Sequence, residues 1–332
     1  MLVLYQWSVK HHDHQLFGGA LMQAANALFD LQDCTLEQLI VAGGNYLQAH
    51  PLVYGHGTDN PMDESAWIAI EACGLSPADP LEDYSIAVSD DQLHRAQQWF
   101  RARAEQHTPV AYLTGRSWFA GLEFKVDARA LVPRSPIAEL ILSDYQPWLA
   151  KQPQHILDLC CGGGCIGIAA CVYAEQSTVS ACDLSDEALS LARENASLYE
   201  LDERYQVYQG DLFDALPDDH RYDLILSNPP YVDAEDMQHL AGEFHHEPVL
   251  GLQAGADGLD IVAKILQSAG DYLNDNGVLI VEVGNSQEAV DQRFPTLPLV
   301  WLEFENGGSG VFLVEAAALM QWRKQSGETP AN

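Results

Sequence analysis

HILDLCCGGGCIGIAACVYAE, residues 155–175, runs from a short apolar stretch through three consecutive glycines into a second apolar stretch with helical spacing. A strand that ends in a glycine loop and continues as a helix is a βα unit. The glycines let the backbone approach a ligand closely while N–H groups point out of the helix start. Gly162 and Gly164 are therefore candidate ligand contacts, although a loop of this kind on its own is equally a tight connection. Asp183 adds a second sign: it ends the next strand-like run, STVSACD (177–183), where a carboxylate can accept hydrogen bonds from both hydroxyls of a ribose. Together they point to a nucleoside ligand.

Working outward, further strand-like runs stand at YQVYQG (205–210), YDLILSN (222–228) and GVLIVEVG (277–284), with helical stretches over 165–175, 185–199 and 258–273. This alternation predicts an α/β fold with a doubly wound parallel sheet. LVWLEFEN (299–306), a Gly-Gly-Ser-Gly turn and VFLVEA (311–316) read as an antiparallel pair closing one edge. Before the sheet, AANALFDLQD (24–33), TLEQLIVAGGNYL (35–47), DESAWIAIEACGL (63–75) and DQLHRAQQWFRARAEQ (91–106) carry apolar residues at helical spacing and predict a small bundle, with Asp63 and Asp90 as helix starts. YGHGTDNP (54–61) is a shaped loop, while FAGLEFKVD (119–127) and ALVP (130–133) read as two strands of a linking hairpin. The expected organisation is a helical domain over 1–117, a hairpin linker over 118–135, the sheet domain over 136–320 and a tail over 321–332.

Of the 332 residues, 47% are hydrophobic, enough for a full core, and the formal charge is −32. With 16 lysines and arginines against 48 acids, a broad phosphate-binding surface is excluded, so direct nucleic-acid or anionic-membrane binding is not expected and a basic partner is easier to accommodate. No apolar run approaches the roughly 20 residues that cross a bilayer, and no secretory start is legible. The seven cysteines are odd in number and four crowd one segment, which fits reduced thiols and a cytoplasmic setting. The cluster Cys160, Cys161, Cys165, Cys171 lacks the paired spacing of a zinc centre and reads as packing; no metal is expected. His11, His12 and His14 with Asp13 read as a solvated segment, and His245, His246 and Glu247 either line a substrate entrance or cap local structure.

The residues with the clearest chemistry are Asn228-Pro229-Pro230-Tyr231, directly after the apolar run LILS. Prolines have no N–H and a fixed φ, so carbonyls there can point inward as acceptors. The Asn228 side-chain oxygen and the Pro229 carbonyl can hold both hydrogens of a planar NH₂ group, with the Tyr231 ring as a flat wall. The glycine pattern only partly allows a pyrophosphate, whereas S-adenosylmethionine has none. An acid beside the loop, Asp158, can then serve the amino group of that ligand, Asp211 its adenine amino group, and Leu212 or Phe213 the ring face.

These features resemble the protein glutamine N5-methyltransferases that modify translation proteins. The likeness extends over most of the chain through PVAYLTG (109–115), LVPRSPIAELI (131–141) and HEPVLGLQAGADGLDI (246–261). The resemblance implies a helical substrate-recognition domain, a hairpin linker and a Rossmann-like methyltransferase domain using S-adenosylmethionine. By position, Gly162 and Gly164 would contact that cofactor, Asp183 its ribose, and Asp211 and Leu212 its adenine region. Asn228 and Pro229 would hold the glutamine amide, with Pro230 and Tyr231 in the same substrate loop. YGHGTDNPMDES (54–65) and VPRSPIAELI (132–141) look like the branch acting on large-subunit ribosomal protein three, a basic protein, rather than the branch acting on peptide-release factors. A non-catalytic role in ribosome assembly and a nucleic-acid adenine methyltransferase are the other readings. The loop departs from the family's pattern at Cys160, where a glycine is usual, and at Cys161, where a small hydroxyl residue is usual. A positive φ at Cys160 would be strained.

Overall fold

The computed structural model describes residues 27–79, 81–255 and 257–326, so the segment with His11, His12, Asp13 and His14 lies outside the described residues. The chain forms two compact units, Met1–Gly121 with Ala241–His246, and Leu122–Leu240 with Glu247–Asn332.

In the first unit, α1 (Leu36–Gln48), α2 (Pro61–Ala72) and α3 (Asp90–Gln106) are followed by a short α4 (Val110–Thr114) and strand β1 (Arg116–Phe119). Asp63 and Asp90 do not cap their helices. Asn60 caps α2, its side chain accepting from the Met62 and Asp63 N–H groups with Pro61 at the first helical position, and Ser89 caps α3 in a reciprocal pair with Gln92. Both acids instead sit in the first turn, where the helix dipole favours them. The core is built from Leu39, Ile40, Leu47, Trp67, Ile68 and Phe100. Arg103 is buried among them, donating to Glu64 (2.8 Å), Glu243 (2.8 Å) and the Val53 carbonyl (3.0 Å). Two buried carboxylates thus share one guanidinium, and burial pushes Glu64 up to about 7.

The second unit opens with β2 (Leu122–Lys125). The expected hairpin strands differ in place: the turn falls at Ala120 and Gly121, both with positive φ, inside FAGLEFKVD, and ALVP is not a strand. Two successive left-handed residues make the tight hairpin turn. Pro133 has no N–H to give a ladder, and the Val132 N–H is taken by the Glu247 carboxylate at 3.0 Å.

The main sheet has seven strands in the order β5-β4-β3-β6-β7-β9-β8. They are β3 (His155–Leu159), β4 (Thr178–Asp183), β5 (Tyr205–Gln209), β6 (Tyr222–Ser227), β7 (Leu273–Glu282), β8 (Val300–Trp301) and β9 (Val311–Glu315). The first five are parallel, and β9 joins β7 and β8 antiparallel, as the alternation and the glycine turn predict. β8 is only two residues of the expected 299–306. Helices α5 (Ile137–Leu142), α6 (Cys165–Tyr173), α7 (Asp186–Leu198), α8 (Asp260–Tyr272), α9 (Gln287–Arg293) and α10 (Ala316–Ser326) complete the unit. Leu157, Ile225, Leu279, Val281 and Phe312 from adjacent strands pack with Val262, Leu266 and Leu319 from the helices in one buried core. Among the described residues no helix is long and apolar enough to cross a membrane.

Candidate active site

Strand order places the site. Winding runs one way from β3 to β5 and the other way from β6 to β7, so the topological switch point lies between β3 and β6, and in sheets of this kind ligands bind at the carboxyl ends of the strands there. Register sharpens this. Leu159 of β3 is level with Cys182 of β4 and with Ser227 of β6, and Ser227 is level with Val281 of β7. The next residues, Cys160, Asp183, Asn228 and Glu282, therefore leave four adjacent strands at one height. Segments separated by tens of residues are gathered by hydrogen-bond register alone.

Beyond β3 the chain turns through Cys160 (φ 58°), Gly162 (φ 54°) and Gly164 (φ 84°) into α6. A Cβ added at Gly162 would meet only the Ala130 methyl at 3.9 Å, so the loop is open there to a ligand. Gly164 needs its hydrogen for another reason: a Cβ would lie 2.7 Å from the Tyr205 hydroxyl, and its N–H is already given to the Cys161 carbonyl. Asp183 uses both oxygens on the backbone, one accepting from the Gly162 N–H and the other from the Ser185 N–H, each at 2.9 Å. Burial raises its carboxyl above the usual range. Each carboxylate oxygen retains a further lone pair for a ribose hydroxyl. An open glycine turn with a buttressed carboxylate one strand away fits a nucleoside ligand.

Asp158 is placed differently from the expectation. It is 0% exposed beneath the loop, where one oxygen accepts from the Gly167 N–H at 2.8 Å, and burial pushes its carboxyl up to about 7. It braces the first turn of α6 with that oxygen, while its other oxygen is buried without a hydrogen-bond partner. Phe213 also departs from expectation, stacking on Tyr272 with ring centroids 4.7 Å apart inside the core. Leu212, 9% exposed at the edge of the same core, adopts φ 52° at the turn after β5. Asp211 is half-exposed and accepts from the Lys264 ammonium at 2.8 Å.

The positive φ at Cys160 is the strained conformation that a glycine would relieve. The seven cysteines are free thiols, and burial raises Cys160 and Cys161 well above the ordinary thiol range. Comparing Cys160→Gly with Cys160→Ala separates backbone strain from loss of the sulfur, since both remove it. The glycine variant is expected to be more stable than the alanine variant by about 1 kcal/mol in urea unfolding. Equal midpoints would mean that the loop bears no strain at this residue.

After β6, the Asn228 amide nitrogen donates to the Arg134 carbonyl at 3.5 Å, which leaves its side-chain oxygen as an acceptor. Tyr231 is wedged by close backbone approaches. A Cβ at Gly258 would stand 2.4 Å from the Tyr231 carbonyl oxygen, and one at Gly284 would stand 2.7 Å from its ring. Its hydroxyl donates to Glu282 at 3.4 Å.

Glu282 and Arg134 were not assigned functional roles by sequence reasoning, and Glu247 was left between a substrate entrance and a local cap. Glu282 is 6% exposed, also accepts from the Ser135 hydroxyl at 2.5 Å, and is pushed up to about 7, chiefly by burial. Its signal was available: it is the single acid in the apolar run Val278-Leu-Ile-Val-Glu282-Val. Glu247 is buried and takes both Arg134 guanidinium nitrogens at 2.8 and 2.6 Å. Of the group His245, His246 and Glu247, it thus locks the 132–134 segment, while His246 bonds the Gln106 carbonyl at 2.7 Å and His245 is exposed.

Known proteins align with this picture. The family described as "Methyltransferase small domain" matches residues 139–255. A ribosomal protein uL3 glutamine methyltransferase from Francisella tularensis is 38% identical over 279 residues, covering 83% of this chain and 88% of that protein. One from Xylella fastidiosa is 43% identical over 292 residues, covering 86% and 91%. Among solved structures, a methyltransferase from Pyrococcus furiosus covers 69% of this chain and 99% of its own at 14% identity, with a TM-score of 0.43. The likeness to the two sequence relatives runs well past the methyl-transfer domain and through most of their length, and the chain belongs to the family of ribosomal protein uL3 glutamine methyltransferases.

Proposed function

We propose that this protein methylates the side-chain amide nitrogen of a glutamine in ribosomal protein uL3, with S-adenosylmethionine as donor. The observation that carries the reading is the common height of the glycine loop, Asp183 and Asn228 at the ends of three neighbouring strands. Gly162 and Asp183 would hold the donor, with Asp211 and Leu212 at its adenine end, and when bound it supplies an electrophilic methyl group. An amide nitrogen is a poor nucleophile because its lone pair is delocalised into the carbonyl. The Asn228 oxygen and the Pro229 carbonyl accept its two hydrogens, fix its plane and favour the positive charge that develops on nitrogen. Pro230 keeps the loop rigid, and the Tyr231 ring covers the amide face. As the N–C bond forms and the donor's S–CH₃ bond breaks to leave a neutral thioether, the nitrogen's proton, acidic only from that point, would pass to water, so no strong base is needed. Alignment can contribute up to about 7–11 kcal/mol and a well-placed dipole about 3–4 kcal/mol. A net charge of −32 suits a basic ribosomal protein as partner, by steering its approach.

The test is methyl transfer from labelled donor to purified uL3 and to a peptide-release factor in parallel, with mass spectrometry to find the modified residue. Label on one glutamine of uL3 alone is expected. Label on the release factor alone would replace the target, and label on neither would return the binding-only and nucleic-acid readings.

A further inference from the structure

The segment 132–135 meets two buried carboxylates. Glu247 accepts from the Val132 N–H and from both Arg134 guanidinium nitrogens, and Glu282 accepts from the Ser135 hydroxyl. The same segment reaches the acceptor loop by two routes: directly, where the Arg134 carbonyl takes the Asn228 amide N–H, and through Glu282, which takes both the Ser135 and the Tyr231 hydroxyls. Asn228 is thus tied to the backbone of the strap, and Tyr231 to the strap by way of one carboxylate. We propose that Glu282 is a positioning residue for the amide-methylation reaction, holding the Tyr231 ring and the 132–135 strap in one arrangement so that Asn228 presents its oxygen to the substrate.

The argument rests on cost and height. A carboxyl 6% exposed at the end of a central strand is expensive to bury unless it is hydrogen-bonded, and the two hydroxyls supply that bonding. Valine at this position would continue the apolar strand without the expense. Because Val281 is level with Ser227, Glu282 leaves β7 at the height where Asn228 leaves β6, so its carboxyl can reach the far side of the acceptor loop. The Arg134 side chain is drawn to Glu247, which fixes the carbonyl that Asn228 uses. Without Glu282 the ring loses its hydroxyl anchor and Ser135 loses the acceptor that holds the strap against β7.

This inference depends on the methyl transfer proposed above, and the test keeps the two apart. Steady-state methylation of uL3 is measured for the wild type, Glu282→Gln, Tyr231→Phe and the double variant, alongside cofactor dissociation constants and unfolding midpoints. Each single change is expected to lower kcat about tenfold, as for a charge-assisted hydrogen bond, with cofactor affinity unchanged. The double variant should lose little more than either single one, because Tyr231→Phe removes the hydrogen bond whose charge assistance Glu282→Gln removes. Losses that multiply, or a Glu282→Gln enzyme with wild-type kcat, would overturn the positioning role. If Glu282→Gln lowers the unfolding midpoint, Glu282→Asp, whose shorter side chain withdraws the carboxylate from the Tyr231 hydroxyl, takes its place and should show the same coupling to Tyr231→Phe; multiplying losses there count equally against the role. A wild type that methylates no glutamine overturns the functional reading itself, and this role with it.

Discussion

Asn228→Ala is expected to lower kcat for glutamine methylation by about 100- to 1,000-fold, the usual loss when one preorganised polar partner of a transition state is removed, while the dissociation constant for S-adenosylmethionine should change less than about twofold. The split follows from position. Asn228 leaves β6 on the opposite side of β3 from Asp183, and its side chain is oriented by the Arg134 carbonyl rather than by the glycine loop. Alanine removes the acceptor for one amide hydrogen, and Pro229 alone leaves the amide free to rotate out of line. Steady-state kinetics and calorimetry of the same preparation measure both quantities. Turnover near that of the wild type would remove Asn228 from the amide-binding role, and an equal loss of cofactor affinity would place it at the donor instead.

Asp183→Ala acts on the other half of the site. Cofactor affinity is expected to fall at least 100-fold, about 2.7 kcal/mol, since hydrogen bonds to a charged group contribute roughly 1.5–3 kcal/mol each and two ribose hydroxyls lose their acceptor. Part of the loss is indirect. The same carboxylate accepts from the Gly162 and Ser185 N–H groups, so alanine also loosens the glycine loop and the entry to α7. Asp183→Asn separates these contributions, keeping one acceptor oxygen while losing the charge, and should fall between the wild type and alanine. Calorimetry showing unchanged affinity for Asp183→Ala would move the ribose contact to another residue.

Much of this site could be read before any coordinates. Gly162, Asp183 and Asn228-Pro229-Pro230-Tyr231 lie at the ends of runs whose apolar pattern marks them as buried strands, and each strand was found where its pattern stands. Helix starts were less legible. Asp63 and Asp90 carry the right chemistry for a cap, yet Asn60 and Ser89 immediately precede the first turn in which both acids lie, and neighbouring polar residues compete for the cap on equal local terms. The hairpin was misplaced because Ala120 carries no turn signal of its own; it takes a left-handed conformation beside Gly121.

Local pattern by itself determined the order of strands and helices, the glycine turn, the proline-rigid acceptor loop and the acidity that suits a basic partner, because periodicity, backbone freedom and charge belong to neighbouring residues. Only the tertiary structure decided which side chains meet: that Asp158 turns under the glycine loop to brace α6, that Phe213 stacks in the core, and that Glu282 and Glu247 hold the strap beside Asn228. Strand order and register bring residues more than 100 positions apart, such as Cys160 and Glu282, to one height, and the strap at 132–135 is bonded there by carboxylates more than 100 positions away. No local pattern carries these partnerships, since they exist only once the sheet has closed and burial has made each unpaired polar group costly.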